Sequence, residues 1–493
     1  MKRQISTLGS HTFDVLVIGG GILGAGIARD ATLRGLNVAL VEKQDFASGT
    51  SSRSTKLIHG GFRYLEQGEF RLVAEACHER AILQRQAPHL VKPQSFLLPV
   101  YEQDPRPLWK IRIGMMLYDL LAGKERGRRH QILTTAETLA QEPRLPRAGL
   151  RGCVLFDDCQ MDDARLCLET VLDAAQRGAV CVNYCEIIGA ERLRDRVTRV
   201  QVHDRLSGKQ FNLRAHAFIN AAGPWVENVV GLAAWDPRSV ALSPTKGVHL
   251  ILPRVTREHG IFFQSRFDDR MLFLIPWFDY ALLGTTDTNY RGDPMLARAD
   301  REDVEYLLGR LREVMPECEV EPQHIIASFA GVRPLLQANR ERPSSRSREF
   351  RMVQHGDNFL SVAGGKYTTF RAIAERVVGK LFRLLSRQSP ACTTADTPLV
   401  PRRTIDRGVP LSNLPDVFAG DIIRACEEEL AMTVTDVMRR RTTLALGAHG
   451  DPGTAENVSR IMAEQLGWDE ATRVKMLHDY VLEWERNRQW MVE

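Results

Sequence analysis

DVLVIGGGILG, residues 14–24, is a short apolar run that includes three consecutive glycines, and a helical pattern follows it over residues 25–34. This order predicts a strand, a tight turn and a helix. Gly19 allows the chain to turn off the strand, Gly21 allows the backbone to approach a pyrophosphate, and Gly24 allows close helix packing. The N-terminus of the helix adds amide donors and the positive end of the helix dipole. The stretch therefore predicts a dinucleotide-binding site.

A second apolar run, residues 37–41, ends at Glu42 and predicts the next strand of the same unit. A carboxylate at this distance from the glycines reaches the ribose hydroxyls of the adenosine and repels a 2′-phosphate, which favours FAD or NAD over NADP. The motif alone does not separate FAD from NAD. The polar, glycine-rich run over residues 49–66 stands where a nicotinamide enzyme would continue with another βα unit, and this favours FAD.

Motifs along the chain resemble, in order, those of the FAD-dependent glycerol-3-phosphate dehydrogenases, which belong to a wider group of amine oxidase and glycine oxidase-like flavoproteins. The resemblance covers roughly residues 13–375 and is weaker beyond them. The matching segments are residues 18–35, 51–66, 162–166, 220–225, 246–249, 284–287, 331–335 and 364–371. The resemblance implies bound FAD and oxidation of sn-glycerol 3-phosphate to dihydroxyacetone phosphate, by hydride transfer from C2 to flavin N5.

The expected fold class is α/β, with a Rossmann-like FAD-binding domain, an antiparallel-sheet substrate domain and a small helical C-terminal domain. Apolar and alternating residues over 247–252 and 272–286 indicate the antiparallel sheet, and helical spacing over 368–385 returns the chain to the FAD-binding domain. Residues 387–397, rich in Ser, Gln, Thr, Pro and Ala, indicate a linker. The predicted boundaries are 13–100, 150–225 and 355–385 for the FAD-binding domain, 101–149 and 226–354 for the substrate domain, and 398–493 for the C-terminal domain.

Composition is that of an ordinary globular protein: 493 residues, 44% hydrophobic and 26% charged, with a formal net charge of +5. Without an apolar run of about 18 residues, we expect neither a membrane span nor a secretory signal. The nine cysteines are scattered without the paired spacing of a metal site, so we expect reduced thiols in a cytosolic protein and no bound metal. Local arginine clusters without a nucleic-acid-binding module favour a solvated basic face over nucleic acid.

One apolar and aromatic segment, residues 107–121, is edged by Lys110, Arg112, Lys124 and Arg126. It fits an amphipathic helix that lies in a membrane interface and is attracted to anionic lipid. It equally fits a helix packed within the substrate domain. Both interpretations stay open from the sequence.

Binding a phosphorylated alcohol requires cations that match a dianion, and arginine forks provide this match. The resemblance implies substrate contacts for Arg63 and Arg333 and a further phosphate contact for Arg348. Arg371 lies inside a predicted helix, where it contacts phosphate or forms an ion pair. The turn at 285–287 positions the substrate or a histidine, or caps its own backbone. The expected substrate-binding residues are Arg63, Tyr64, Thr286, Asp287, Arg333, Arg348 and Lys366.

Catalysis requires a proton acceptor and positive groups beside the reduced flavin ring. His59 and His249 are the histidines inside the matching motifs, and the sequence does not decide between them. Gly364 and Gly365 precede a helix start, so their amides and Lys366 are expected to face the flavin. The expected catalytic residues are His59, His249, Arg333 and Lys366.

The expected cofactor contacts come from the glycine turn, the end of the second strand and later motifs. They are Gly19, Gly21, Gly24, Glu42, Thr50, Ser51, Ser52, Lys56, Leu57, His59, Ala222, Gly223, Gly364, Gly365, Lys366 and Thr368. The family pattern usually has tyrosine where this chain has Phe370, so one phenol hydrogen bond is lost.

The resemblance further implies that electrons leave to a membrane quinone and that the protein attaches peripherally to the inner face of the cytoplasmic membrane, with a homodimer as an open expectation. Three alternatives stay open: a glycerol-3-phosphate oxidase that uses oxygen, an amine or amino-acid oxidase of the same superfamily, and a non-catalytic flavoprotein sensor. Paired phosphate arginines argue against the amino-acid oxidase. Intact Arg63, Arg333 and Lys366 argue against the sensor.

Overall fold

The structure, a computed structural model, describes residues 1–125, 127–268, 270–337, 349–400, 408, 410–411 and 417–491. Its strands are β1 (Thr12–Ile18), β2 (Val38–Val41), β3 (Leu57–Ile58), β4 (Val91–Tyr101), β5 (Gln131–Leu133), β6 (Leu150–Met161), β7 (Val180–Val182), β8 (Cys185–Leu193), β9 (Arg196–Asp204), β10 (Gln210–Asn220), β11 (Thr245–Pro253), β12 (Gly260–Gln264), β13 (Met271–Trp277), β14 (Tyr280–Gly284), β15 (Thr288–Asn289), β16 (Ala327–Arg333), β17 (Phe350–His355) and β18 (Phe359–Gly364). Its helices are α1 (Ile5–Ser10), α2 (Ile22–Leu33), α3 (Phe70–Gln86), α4 (Leu108–Ala122), α5 (Thr135–Gln141), α6 (Asp163–Gln176), α7 (Val226–Leu232), α8 (Arg301–Val314), α9 (Phe370–Leu384), α10 (Ala419–Glu428), α11 (Val434–Asp436), α12 (Pro452–Leu466) and α13 (Glu470–Arg486).

The first sheet contains the glycine turn and has the strand order β17-β18-β10-β1-β2-β7, with β9 and then β8 extending from β10. β1 pairs in parallel with both β2 and β10, so that Val17 lies opposite Leu40 and Ile219. All four residues of β2 are buried, as expected for a parallel strand whose two faces are both covered. The Rossmann-like FAD-binding domain predicted from the glycine turn is confirmed.

The contact between α2 and α9 depends on a glycine. A Cβ atom at Gly26 would lie 2.8 Å from Cδ2 of Phe370 and 3.4 Å from Cβ of Ala374. Phe370 is buried, so its ring fills the space beside the glycine. The residue that departs from the family pattern is therefore part of the core between these two helices.

The second sheet is largely antiparallel and has the order β15-β11-β14-β13-β12-β4-β6-β3, with β16 paired to β11 and β5 paired to β6. β11, β13 and β14 contain the segments that the sequence predicted as a sheet, and they pair antiparallel. A buried core beneath them includes Leu250, Leu274 and Leu308. The predicted antiparallel-sheet domain is confirmed.

The structure corrects the predicted boundaries at two strands. Residues 91–100 and 150–161 were expected in the FAD-binding domain, but β4 and β6 pair with each other inside the second sheet. Pro93 and Pro99 conceal the strand character of β4 in the sequence. They are tolerated because, among the described residues, β12 pairs with β4 only at Phe96 and Leu97, and a strand accommodates proline where no donor is required.

Two elements expected in the substrate domain belong instead with the first sheet. β17 pairs antiparallel with β18. Val226 and Val230 of α7 pack with Ala363 of β18 in one small core cluster. The predicted boundary at residue 355 cut through a hairpin, since β17 joins β18 through a short turn at Gly356. The contact between α7 and β18 joins segments far apart in the chain, for which the sequence carries no signal.

The C-terminal helices form a small domain, as predicted. α10, α12 and α13 pack around a core that includes Ile422, Val458 and Tyr480. The segment predicted as a linker lies against the first sheet's helices, since Arg29 donates to the carbonyl of Thr397 over 2.6 Å. None of the described helices is both long enough and apolar enough to span a bilayer.

The Gly26 contact predicts a measurable asymmetry between two helical glycines. Gly26→Ala places a methyl group against the Phe370 ring and should destabilise the protein by about 1–3 kcal/mol, the usual cost of overpacking. Gly309 in α8 has open space around the position of a Cβ, so Gly309→Ala should be neutral or stabilising by up to about 1 kcal/mol. Urea denaturation of both variants measures the difference. Equal effects at the two positions would contradict this packing.

Candidate active site

A cavity of about 700 Å³ lies at the carboxyl ends of the parallel strands of the first sheet. Its wall includes Ile18 at the end of β1, Val41 at the end of β2 and Ala221 directly after β10. Residues of the second sheet, including His249 and Phe273, form the opposite wall. Its volume and its position match the usual ligand site of an α/β fold.

The glycine turn forms one end of the cavity without room for side chains. Gly19 has φ +110°, and a Cβ atom on it would lie 2.7 Å from the carbonyl oxygen of Ala221. Gly21 is the N-cap residue of α2, and the amide of Ile22 donates to the Ser51 hydroxyl over 2.9 Å. Gly19 and Gly21 line the cavity as predicted.

Gly24 has the packing role that the sequence indicated. Its expected contact with the cofactor is corrected, because it lies outside the cavity lining. A Cβ atom on Gly24 would lie 1.9 Å from the carbonyl oxygen of Gly19. The first turn of α2 therefore packs directly on the turn that precedes it. This contact brings the helix N-terminus to the end of β1, where a pyrophosphate would be bound.

Glu42 lies at the end of β2 and lines the same part of the cavity. Its two carboxylate oxygens accept hydrogen bonds from the amide of Gly20 over 2.7 Å and from the amide of Gln44 over 2.9 Å. Burial raises the pKa of Glu42 above the usual value, and these two amides oppose that shift. The fixed carboxylate has further lone pairs that can accept hydrogen bonds from the ribose hydroxyls.

The loop after β2 divides into cavity residues and residues behind the wall. Thr50, Ser51 and Leu57 line the cavity, whereas Ser52 and Lys56 do not. The Lys56 ammonium is buried and pairs with Asp163 over 2.5 Å. The predicted cofactor contacts of Ser52 and Lys56 are therefore corrected: Lys56 compensates a buried carboxylate.

Lys366 lies at the opposite end of the cavity, just after Gly364 and Gly365, and all three line it. Its ammonium donates to the carbonyl of His59 over 2.5 Å, and the Thr368 hydroxyl donates to the same carbonyl over 3.3 Å. Burial lowers the pKa of Lys366 to about 8. The ammonium is therefore charged at neutral pH but readily loses its proton above it.

Arg63 and Tyr64 lie in a short 3₁₀ helix, Phe62–Gln67. Its N-cap residue is Gly61, which has φ +84°. Nη2 of Arg63 donates to the Tyr64 hydroxyl over 3.3 Å, and both side chains line the cavity. The Lys366 ammonium lies 5.4 Å from the centre of the Tyr64 ring. These residues thus converge with Lys366, as the motifs indicated.

Arg333 lines the cavity and is held by the turn that follows β14. Nη1 donates to Oδ1 of Asp287 over 3.1 Å and to the carbonyl of Thr286 over 3.3 Å, and Nη2 donates to the Thr285 hydroxyl over 2.9 Å. Asp287 and Thr286 lie outside the cavity lining, and Thr285 lies within it. The expected substrate contacts of Thr286 and Asp287 are replaced by a role in positioning Arg333.

The two candidate histidines occupy different environments. His249 is buried and stacks on Phe329 with ring centres 4.9 Å apart, and its Nε2 forms a hydrogen bond of 3.0 Å with the Thr55 hydroxyl. Burial, together with Arg333 and Lys56, lowers the pKa of His249 well below the usual value. His59 lines the cavity beside Phe273. Both rings stay near the site, but His249 is poorly suited to hold a proton.

Two further arginines were candidates for phosphate binding. Arg348 lies outside the described residues. Arg371 forms buried hydrogen bonds to Glu79 over 2.5 and 2.8 Å, and it also donates to Glu375 over 2.8 Å. Of the two interpretations of Arg371, the ion pair is confirmed, and the residue is absent from the cavity lining.

Several cavity residues were missed by the sequence analysis. Ala222, Gly223 and Thr368 line the cavity as expected. Trp225 also lines it, and the Lys43 ammonium lies 4.0 Å from the centre of its ring. Among the missed residues are Thr55, Trp225, Met271, Phe273 and Thr285. Thr55, Trp225 and Thr285 lie inside the matching motifs, and this position could have indicated that they line the site. Met271 and Phe273 lie outside these motifs, so nothing in the sequence indicated their place in the cavity.

Comparisons with known proteins agree with this geometry. A family model described as FAD dependent oxidoreductase matches residues 14–377, and a model described as C-terminal domain of alpha-glycerophosphate oxidase matches residues 388–473. A glycerol-3-phosphate dehydrogenase from Synechocystis sp. is 33% identical over 98% of each chain. The chain belongs to the FAD-dependent glycerol-3-phosphate dehydrogenase family.

Two other members of this family are similar over different lengths. An aerobic glycerol-3-phosphate dehydrogenase from Staphylococcus saprophyticus is 39% identical, over 78% of this chain and 70% of the relative. The crystal structure of the glycerol-3-phosphate dehydrogenase from Bacillus halodurans, complexed with FAD, superposes with a TM-score of 0.79 at 29% identity. That match covers 98% of this chain and 97% of the other.

FAD is the cofactor of this dehydrogenase family member, and the cavity fits it. The side-chain-free turn at Gly19–Gly21 suits the pyrophosphate, and Glu42 suits the ribose. The cavity continues to Gly364 and Lys366, where positive groups can face a flavin ring. The chain therefore holds matching groups at both ends of an extended dinucleotide.

Glu42→Ala should weaken FAD binding about 10–100-fold, because hydrogen bonds to a charged group are worth about 1.5–3 kcal/mol. Quenching of FAD fluorescence by the apoprotein measures the dissociation constant. Glu186 also lines the cavity, but its carboxylate lies 3.9 Å from Arg205. Glu186→Ala is the matched control, with an expected change below about threefold. Equal changes in the FAD dissociation constant of the two variants would contradict the assignment of Glu42 to the ribose.

Proposed function

We propose that the protein oxidises sn-glycerol 3-phosphate to dihydroxyacetone phosphate and passes the electrons to a membrane quinone. The observation that carries the proposal is the convergence of Arg63, Arg333 and Lys366 on the end of the cavity opposite the glycine turn. Three cations at one end of a cofactor cavity suit an anionic substrate held beside the flavin.

Arg333 supports a phosphate ligand because it is preorganised. Thr285, Thr286 and Asp287 fix its guanidinium by hydrogen bonds, so little side-chain freedom is lost when the substrate binds. Arg63 is held in a similar way by the hydroxyl of Tyr64. The two forks can share the oxygens of one dianion.

FAD, when bound, supplies the two-electron acceptor that takes the hydride from C2. The chain must then accept the proton of the C2 hydroxyl. Both histidines line the cavity, and we assign this role to His59 because the pKa of His249 is lowered well below the usual value and its Nε2 is already hydrogen-bonded to the Thr55 hydroxyl. Lys366 and the amides near Gly364 favour the negative charge that develops on the ring. The arginines therefore bind the substrate, His59 accepts its proton, and Lys366 stabilises the charge that results.

The quinone part of the proposal is supported by an exposed apolar face on α4. Trp109, Ile113, Met116 and Leu120 project to solvent, with Leu120 74% and Trp109 66% exposed. Lys110 and Arg112 are exposed beside them. A bilayer with anionic lipid matches both features, since the apolar face enters the interface and the cations face the headgroups. We propose that this face docks on the inner face of the cytoplasmic membrane.

The same helix connects the bilayer face to the substrate site. Its other side buries Ile111, Met115 and Tyr118, and the Phe62 ring lies against Gly114, where a Cβ would be 3.1 Å from the ring. Phe62 directly precedes Arg63. A lipid-soluble acceptor at this face would therefore be one layer of residues from the substrate-binding segment.

A second candidate, an oxidase that passes electrons to oxygen, is favoured by one observation. The C-terminal segment matches the model named for alpha-glycerophosphate oxidase. Steady-state turnover of sn-glycerol 3-phosphate with a ubiquinone analogue, compared with hydrogen peroxide formation in air, separates the two. Quinone reduction at least tenfold faster than peroxide formation is expected; the reverse order would establish the oxidase.

Arg333→Ala should raise the KM for sn-glycerol 3-phosphate about 100-fold or more, because a charge-assisted bidentate contact to phosphate is lost. FAD affinity should change by less than about threefold. Asp287→Asn keeps Arg333 but weakens its positioning, so its effect on KM should be smaller, about threefold to tenfold. Steady-state kinetics measure the KM of each variant, and flavin content measures its FAD binding. If Arg333→Ala lost FAD binding and substrate binding equally, the assignment of Arg333 to the substrate phosphate would be contradicted.

The lowered pKa of Lys366 predicts a pH dependence. The ammonium is charged below its pKa of about 8 and neutral above it, so kcat/KM should fall as the pH rises through about 8. The substrate phosphate, with a second pKa near 6, stays a dianion over this range. In Lys366→Arg the charge persists, so its lower kcat/KM should stay flat to higher pH. Parallel declines in both profiles would assign the pH effect to another group.

The membrane contact is tested by the double variant Trp109→Ser/Leu120→Ser, which removes the most exposed apolar side chains of α4. It should lose co-flotation with vesicles of phosphatidylcholine and phosphatidylglycerol, while turnover with a water-soluble dye acceptor stays within about twofold. Leu193 is 71% exposed on β8, and Leu193→Ser, the matched control, should still float. Retained flotation of the double variant would exclude α4 as the docking face.

A further inference from the structure

The segment between β2 and residue 53, here called the cofactor loop (residues 42–52), carries cavity-lining residues on one side and a buried carboxylate on the other. Glu42, Thr50 and Ser51 line the cavity. Asp45 is fully buried, and its carboxylate faces the C-terminal domain. The loop is therefore contacted from behind by a different part of the chain.

Two consecutive arginines of the C-terminal domain bind this carboxylate. Nε of Arg440 donates to Asp45 over 2.5 Å, and Nη1 and Nη2 of Arg441 donate to its two oxygens over 2.6 and 2.8 Å. Nδ2 of Asn183 donates to the same carboxylate over 3.0 Å. Burial alone would raise the pKa of Asp45, but the two arginines bring it down to about 2. The carboxylate is thus ionised at any physiological pH.

The arginines are themselves fixed within the C-terminal domain. They lie in a π-helical turn, residues 437–441, a backbone form that frequently occurs at functional sites. Nη2 of Arg440 donates to Asp436 over 2.6 Å, and Nη2 of Arg441 donates to the carbonyl of Glu429 over 2.8 Å. The position of Asp45 is therefore set by a rigid group that belongs to α11 and the turn after it.

The cofactor loop is joined equally closely to the glycine turn. The amide of Gly20 donates to Glu42, and the amide of Ala47 donates to the carbonyl of Gly20 over 3.0 Å. The buried Phe46 ring lies so close that a Cβ on Gly20 would be 2.6 Å from it. A displacement of Asp45 would thus be transmitted, through only one or two residues, to the groups that receive the pyrophosphate and the ribose.

We propose that the C-terminal domain completes the FAD site, with Arg440 and Arg441 as positioning residues that hold the cofactor loop through Asp45. Removing one arginine leaves a buried carboxylate undercompensated, and the loop must move to expose it to water. The proposal concerns cofactor binding alone, so it stands or falls independently of the substrate and of the electron acceptor.

The alternative is that the ion pairs of Asp45 with Arg440 and Arg441 only hold the C-terminal domain against the FAD-binding domain, without an effect on FAD binding. A second buried pair provides the matched control: Nη1 of Arg165 in α6 donates to Glu429 of the C-terminal domain over 2.8 Å. This pair joins the same two parts of the chain and is buried to a similar degree. Arg165 lies outside both the cofactor loop and the cavity lining. It is connected to Arg441 through Glu429, whose carboxylate is 4.0 Å from Nε of Arg441 and whose carbonyl, the group that holds Arg441, belongs to the backbone and is kept in the control.

The test compares Arg441→Met, Asp45→Asn and Arg165→Met in the full-length apoprotein. The dissociation constant for FAD is measured by flavin fluorescence, and thermal unfolding of the apoprotein reports stability. Arg441→Met and Asp45→Asn should each weaken FAD binding at least tenfold. Arg165→Met should weaken it less than threefold at a similar loss of thermal stability. The double variant Asp45→Asn/Arg441→Met should resemble the singles, because both changes break the same contact.

Arg441→Met that folds and binds FAD within threefold of the wild type would overturn the proposal. An equal loss of FAD affinity in Arg165→Met would also overturn it, since general docking would then explain the effect. Arg441→Lys keeps the charge but loses the fork, and it covers the case in which Arg441→Met fails to fold. It should weaken FAD binding at least threefold, and unchanged affinity in this variant would equally contradict the proposal.

Discussion

The structure depends on a turn that has no room for side chains. Gly19 passes within contact distance of the carbonyl of Ala221, and Gly24 packs on the carbonyl of Gly19. Both approaches are impossible for any other residue without a shift of the backbone. Together they bring β1, β10 and the start of α2 to one point, and the cavity opens where these strands end. Every later feature of the site is arranged around that point.

The two ends of the cavity bind different groups and carry different charges. At the glycine turn, amides and a helix N-terminus receive negative charge, while Glu42 is held ready for hydroxyl groups. At the other end, full cations converge, and each is held by hydrogen bonds to other residues of the protein: Arg333 by the 285–287 turn and Lys366 by the carbonyl of His59. Preorganised cations of this kind lose little freedom when an anion binds.

The sequence predicted the features that local chemistry determines. The first βαβ unit follows from the glycine motif and the apolar runs around it, and the resemblance carried by the later motifs implied that Arg63, Arg333 and Lys366 share one site. β4 and β6 could not be assigned to their sheet, because strand pairing is a contact between distant segments and prolines conceal β4. Lys56 and Ser52 stand inside a cofactor motif, but side-chain direction, which the sequence does not specify, takes them behind the wall.

The central claim is that this cavity brings sn-glycerol 3-phosphate to FAD. The most direct test is anaerobic mixing of the purified holoprotein with sn-glycerol 3-phosphate while the long-wavelength flavin absorbance is recorded. The account predicts rapid bleaching that saturates with substrate, and far slower bleaching with glycerol, which lacks the phosphate that the arginines bind. Flavin that stays oxidised with sn-glycerol 3-phosphate, or that is bleached equally by glycerol, would contradict it.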